Sequence, residues 1–149
     1  MTKDPATREG WMSLLARAPA ARLAALVETL GPLPEHDWLR RPETGGVMVR
    51  GRMGGTGGAF NLGEMTVTRC ALKLADGTVG HAYVQGRDAA HATRAALTDA
   101  LLQTGRAAEV QGAVIGPLAR EAAARRSARA EKAAATKVEF FTMVRGEDA

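Results

Sequence analysis

The pair Asp76-Gly77, set between the apolar runs 65–74 and 78–84, constrains the fold more than any other feature of this chain. A two-residue type I′ turn needs positive φ at both central positions, which Asp followed by Gly supplies, and it joins its strands antiparallel. Such a turn also sets register, placing Leu74 opposite Val79, Leu72 opposite His81 and Cys70 opposite Tyr83. The expectation is a core face made by those six residues. The other face then carries Arg69, Ala71 and Lys73 beside Gly80, Ala82 and Val84. A further run, 46–53, alternates Val47, Val49 and Met53 with Met48, Arg50 and Arg52, extending the hairpin to an antiparallel meander of about three to four short strands.

Helical periodicity flanks this sheet on both sides. Trp11, Leu14, Leu15 and Ala18 recur at helical spacing, and after Pro19 a second run places Leu23, Leu26, Val27 and Leu30 on one face. Gly31, Pro32 and Pro34 stop it. Asp88 can cap a helix with Ala90, Leu97, Ala100 and Leu101 as apolar positions, ended by Gly105. A last helix over 118–135 is nearly all alanine and arginine. Its propensity is high but it has little to bury, so it should run along the surface or into a partner. The fold class read from this order is α+β and one domain over 1–149: an N-terminal helical part (about 5–31), a central sheet (about 37–85), and C-terminal helices plus a tail (about 88–149).

With 46% apolar but only 4% aromatic residues, the core must be assembled from Leu, Val, Ala and Met. The net charge of +4 is carried mainly by arginine, whose planar fork suits phosphate and carboxylate, although GC-rich coding favours the same residue. A lone cysteine, Cys70, excludes an internal disulfide and an iron-sulfur cluster held within one chain, and it suits a reducing compartment. The charged, polar start and the absence of any run long enough to cross a bilayer predict a cytoplasmic protein that does not bind membranes.

Eight of the seventeen glycines fall between Gly45 and Gly63, and the segment Arg52-Met53-Gly54-Gly55-Thr56-Gly57-Gly58 is the sharpest local candidate. Glycine lets backbone N–H groups approach an anion closely, so Arg52, Gly54, Gly55, Thr56 and Gly57 are candidates for contact with phosphate or with a partner. A sharp connection between strands explains the same glycines. No Gly-Lys-Ser/Thr follows and Phe60 stands where a dinucleotide fingerprint would need its last glycine, so neither standard phosphate loop is present. Arg69 joins the candidates, because in a suitable register Arg50, Arg52, Arg69 and Lys73 would share a face, a register the spacing leaves open. Arg87 joins them as well, standing before Asp88 at a helix start where an anion is favoured.

No catalytic set emerges. His81, on the expected core face, and His91, in a first helical turn, read as packed histidines, Cys70 as a small buried hydrophobe, and no spacing suggests a metal site. Arg120, Arg125, Arg126, Arg129, Lys132 and Lys137 raise nucleic-acid binding, but they spread around the helix without stacking aromatics, so no nucleic-acid partner is expected. In the tail, Phe140, Phe141, Met143 and Arg145 are candidates for a partner interface, or for self-association of the isolated chain.

The ordered set RMGGTG (52–57), DGT-x-G (76–80), GRD-x-x-H (86–91) and FFTMVRG (140–146), with Arg8, Trp11 and Met12, resembles the G subunit of bacterial carbon-phosphorus lyase along nearly the whole chain. The resemblance implies a hetero-oligomer with subunits H, I and J and an associated subunit L. In that assembly a phosphonate displaces adenine from the ribose of ATP to give a ribose 1-phosphonate 5-triphosphate. It also implies that nucleosidase catalysis belongs to subunit I and radical C–P cleavage to subunit J. ATP is then a substrate of the assembly, with no cofactor bound by this chain alone. The resemblance assigns the G subunit no catalytic residue, so an independent nucleotide- or phosphate-binding protein stays the alternative, with a nucleic-acid binder behind it.

Overall fold

Thr7 starts the first helix: its hydroxyl accepts the Gly10 N–H, one of the donors a helix start leaves unpaired. Helix α1 (Arg8–Arg17) and helix α2 (Ala20–Glu28) follow, hinged at Ala18-Pro19. The computed structural model describes residues 3–137. The chain then enters strand β1 (His36–Arg52), turns through a short 3₁₀ segment (Met53–Gly55), and returns along β2 (Ala59–Leu74) to β3 (Val79–Gln85). The three strands form one antiparallel sheet in the order β1-β2-β3, the meander expected of an α+β fold. Helix α3 (Ala89–Leu101), capped by Asp88 through the His91 N–H as expected, lies against β3 and β2.

The hairpin at Asp76-Gly77 differs from the expected two-residue turn. Leu74 and Thr78 close it, with the Leu74 N–H donating to the Thr78 carbonyl at 2.9 Å and Gly77 at φ +88°. The loop therefore has three residues and ends on a left-handed glycine, the next commonest hairpin geometry. Asp76 spans it, accepting the Thr78 N–H at 2.9 Å. One extra loop residue moves the register by one: Leu72 faces Gly80, Ala71 faces His81 and Arg69 faces Tyr83. Because side chains alternate, every residue of β3 changes face relative to the expectation. Gly80, Ala82 and Val84 join Cys70, Leu72 and Leu74 in the core, whereas His81 and Tyr83 are exposed on the other face beside Arg69, Ala71 and Lys73.

Gly80 shows why this register wins. A Cβ there would lie 2.0 Å from the Ala96 carbonyl oxygen and 2.9 Å from the Ala100 Cβ, so β3 and α3 pack backbone to backbone. Ala92, Ala96 and Ala100 are fully buried on that side of α3. A core short of aromatics is closed by small residues at close range, with Leu15, Leu23 and Leu72 filling the centre.

Two strands are longer than the short ones expected. β3 pairs only with 67–73 of β2, while β1 and β2 continue together to Arg52 and Ala59. Beyond Gly46 and Thr66 the sheet is thus a two-stranded ribbon. It carries Met48, Phe60 and Leu62 exposed, with Met53 70% exposed at its tip.

The C-terminal helical stretch also begins earlier than expected. Helix α4 (Ala107–Val110) passes through a π turn (Gln111–Ile115) into α5 (Gly116–Ala135). The widened turn precedes Pro117, which donates no N–H and whose ring crowds the carbonyl four residues back. Val110, Val114, Ile115 and Leu118 are fully buried, and every residue from 123 to 137 is exposed. The expectation of a surface helix therefore holds for its second half, while its base belongs to the core. The candidate interface residues Phe140, Phe141, Met143 and Arg145 lie outside the described residues. No described helix is long and apolar enough to cross a membrane.

Candidate functional site

The glycine-rich segment is the tip of the ribbon. Gly54 and Gly55 take φ of +58° and +83°, conformations that side chains disfavour, so the reversal depends on them. The N–H groups of Thr56 and Gly57 both point at the Met53 carbonyl, and the Arg52 guanidinium donates to the Gly57 carbonyl at 3.2 Å. Those two amides are committed to the turn itself. Around this internally bonded loop the outward surface is Met53, Thr56 and the glycine backbone.

The sheet does not gather the four cations whose register was open. Arg50 faces Asn61 and Arg52 faces Ala59, whereas Arg69 faces Glu43 and Lys73 faces Asp37. Arg69 donates to Glu43 at 2.7 Å, and Arg40 reaches the same carboxylate. Arg40 and then Arg69 hold the Glu43 carboxyl below the ordinary carboxylate range. Each cation near the core thus stands opposite an acid, and the ribbon cations are set apart from them.

Arg69 and Arg87 nevertheless flank one feature, the Thr44-Gly45-Gly46 segment of β1. Arg69 lines a small hollow of about 130 Å³ there with Glu43 and Tyr83. Arg87 lines an open groove of about 330 Å³ with Glu64 and Thr66. Arg52 lies six residues farther along β1 than Gly46, roughly 20 Å at about 3.3 Å per residue. The candidates form a line along the ribbon edge and not a single pocket.

The buried titratable groups are structural. Cys70 is 2% exposed and burial pushes its thiol up to about 11, so it stays protonated and unreactive. The His91 ring nitrogen Nε2 lies 2.8 Å from the Leu15 carbonyl, tying α3 to α1. No group of three or more His, Cys, Asp and Glu among the described residues has metal-holding geometry.

Two arrangements were not legible in the sequence. Asp99 sits fully buried on α3, bonded to Arg8, Trp11 and the His81 backbone. Only its position within an apolar helical stripe hinted at it. The second is a groove of about 270 Å³ between α1 and α5, where Arg17, Arg125, Arg126 and Arg129 surround Leu14 and Leu118. Helical spacing spreads the basic residues of α5 around the helix, yet three of them line this groove with the end of α1.

A family model described as phosphonate metabolism protein PhnG matches residues 6–146. The chain belongs to the PhnG family. A relative from Rhizobium meliloti (strain 1021), named alpha-D-ribose 1-methylphosphonate 5-triphosphate synthase subunit PhnG, is 48% identical over 145 residues. That match covers 95% of this chain and 90% of the relative. PhnG membership agrees with the resemblance carried by the four ordered motifs, and it spans helices, ribbon and groove alike. The relative is one subunit of a multi-subunit synthase, which gives hetero-oligomeric assembly as the family setting.

Proposed function

We propose that this chain is a non-catalytic subunit of a cytoplasmic carbon-phosphorus lyase core complex. There it supports transfer of a phosphonate onto ribose C1 of ATP with release of adenine. The observation that carries this reading is the 48% identity to a named synthase subunit over 95% of the chain. Its partners in this reading are subunits H, I and J, with subunit L associated during the reaction. ATP is a substrate of the assembly, and this chain binds no cofactor of its own.

The ribbon is the proposed contact with those partners. A two-stranded ribbon is marginal in water, and this one leaves Met48, Phe60 and Leu62 exposed, so a partner surface would cover apolar area and hold the strands. The committed amides of the tip favour protein contact over a phosphate cradle for Arg52, Gly54, Gly55, Thr56 and Gly57. Arg69 and Arg87, on either side of Gly45-Gly46, continue the same contact line.

Co-expression of the tagged full-length chain with subunits H, I, J and L, followed by purification and assay of adenine release, tests both levels. Co-purification of the subunits supports the assembly reading, and recovery of a lone monomer overturns it. Met53→Asp and Arg52→Ala should lower recovery of the partners while the chain stays folded. Unchanged assembly and unchanged adenine release in both variants would remove the ribbon from the contact.

A further inference from the structure

The groove between α1 and α5 is built like an anion site. A stripe at helical spacing on the C-terminal helix starts at buried Val114 and Leu118, passes half-buried Ala122 and ends at exposed Arg125 and Arg129. Its first two side chains are fully buried. Where a further apolar residue would prolong the core, the stripe turns to arginine, with Arg126 beside it and Arg17 arriving from α1.

Among the described residues no carboxylate forms an ion pair with these four cations. Among the described residues Arg17 bonds only to the carbonyl and hydroxyl of Ser13, both neutral. Of the two acids on the same helix, Glu121 is held by Arg22 at 2.7 Å and feels Arg125 only through space, and Glu131 accepts from the Ser127 hydroxyl. No ion pair among the described residues engages Arg125, Arg126 or Arg129. Like charges at i and i+4, as at Arg125 and Arg129, disfavour a helix unless something neutralises them.

We infer that Arg17, Arg125, Arg126 and Arg129 bind the linked phosphates of an oligophosphate in this groove. Guanidinium forks pair with phosphate oxygens two at a time. A single phosphate cannot satisfy four forks, whereas a chain of phosphates can lie along the about 6 Å of helix axis between Arg125 and Arg129. Leu14 and Leu118 supply an apolar floor beneath the guanidinium groups. Among the described residues the groove has no aromatic lining on which a base could stack, which favours phosphates alone over single-stranded nucleic acid.

Calorimetric titration of the full-length chain with tripolyphosphate, orthophosphate, ATP, a glutamate-rich peptide and a short DNA duplex tests this. Tripolyphosphate should bind one to one and at least roughly tenfold tighter than orthophosphate, since more forks are engaged. Competition by ATP would assign the phosphates to a nucleotide, and its failure to compete would assign them to a free oligophosphate. The double variant Arg125→Ala/Arg129→Ala, which raises helix propensity, should weaken binding by roughly tenfold or more with the circular dichroism unchanged. Arg17→Ala on the other helix should also weaken it, and Arg41→Ala on β1 should not. Absence of tripolyphosphate binding, its survival in the double variant, or tighter binding of the peptide or the duplex would overturn the inference. No partner subunit is needed, so failure here leaves the proposed function standing.

Discussion

Asp99 and Arg8, ninety-one residues apart in sequence, are joined by two hydrogen bonds of 3.1 and 2.8 Å. Each Asp99 oxygen takes one further donor: Oδ1 the Trp11 indole at 2.8 Å, Oδ2 the His81 backbone N–H at 2.9 Å. Four donors meet the four acceptor positions of a carboxylate, which is why a fully buried acid is tolerated. The cluster ties α1, β3 and α3 at one point.

Replacing Asp99 by alanine leaves the Trp11 and His81 donors unpaired, while Arg8, 43% exposed, can turn to water. The expected loss is about 2–4 kcal/mol, measurable as a lower midpoint in urea unfolding. Asp99→Asn keeps the volume and part of the acceptor capacity, so it should fall between wild type and alanine.

Gly80→Ala forces a Cβ to within 2.0 Å of the Ala96 carbonyl, a backbone atom that cannot swing aside. β3 must then lift from α3, at a cost of about 3 kcal/mol or more. Gly112→Ala, with nothing within 4 Å of the added Cβ and a helical backbone, should instead stabilise by about 0.5–1 kcal/mol. Thermal unfolding of the two variants should shift in opposite directions.

Gly77→Ala places a side chain at φ +88° without any steric neighbour, isolating backbone conformation as the cause. A loss of about 1–2 kcal/mol is expected, less for Gly77→Asn, which tolerates the left-handed region better. Equal losses for alanine and asparagine in denaturant unfolding would contradict this.

Cys70 gives a pH dependence with a definite sign. Its thiol ionises near 9.0 when unfolded but at about 11 in the fold, because burial disfavours the thiolate. Between those values the unfolded chain holds fewer protons than the folded one, so stability falls as pH rises through that window. Cys70→Ala should lack this part of the slope when unfolding midpoints are compared at pH 8 and pH 10.5. In the native wild type, a thiol reagent at pH 8 should label Cys70 only at the rate of unfolding.

Local chemistry by itself determined much of this molecule. Helical spacing marks α1, the Asp88 cap opens α3, and Asp76-Gly77 gives an antiparallel hairpin. The lone Cys70 reads as inert, and the four ordered motifs point to the PhnG family. These depend on the chain over a few residues or on the order of motifs, both visible in one dimension.

Tertiary structure alone decided the rest. Whether the hairpin loop holds two residues or three is settled by how Gly80 fits against Ala96 and Ala100, and that choice sends His81 and Tyr83 out of the core. The length of the ribbon depends on where β3 ends relative to its neighbours. The Asp99–Arg8 bond and the groove shared by Arg17 and Arg129 bring together elements far apart in sequence. Burial and charge at such positions belong to the packing of helices on a sheet, and no local periodicity encodes them.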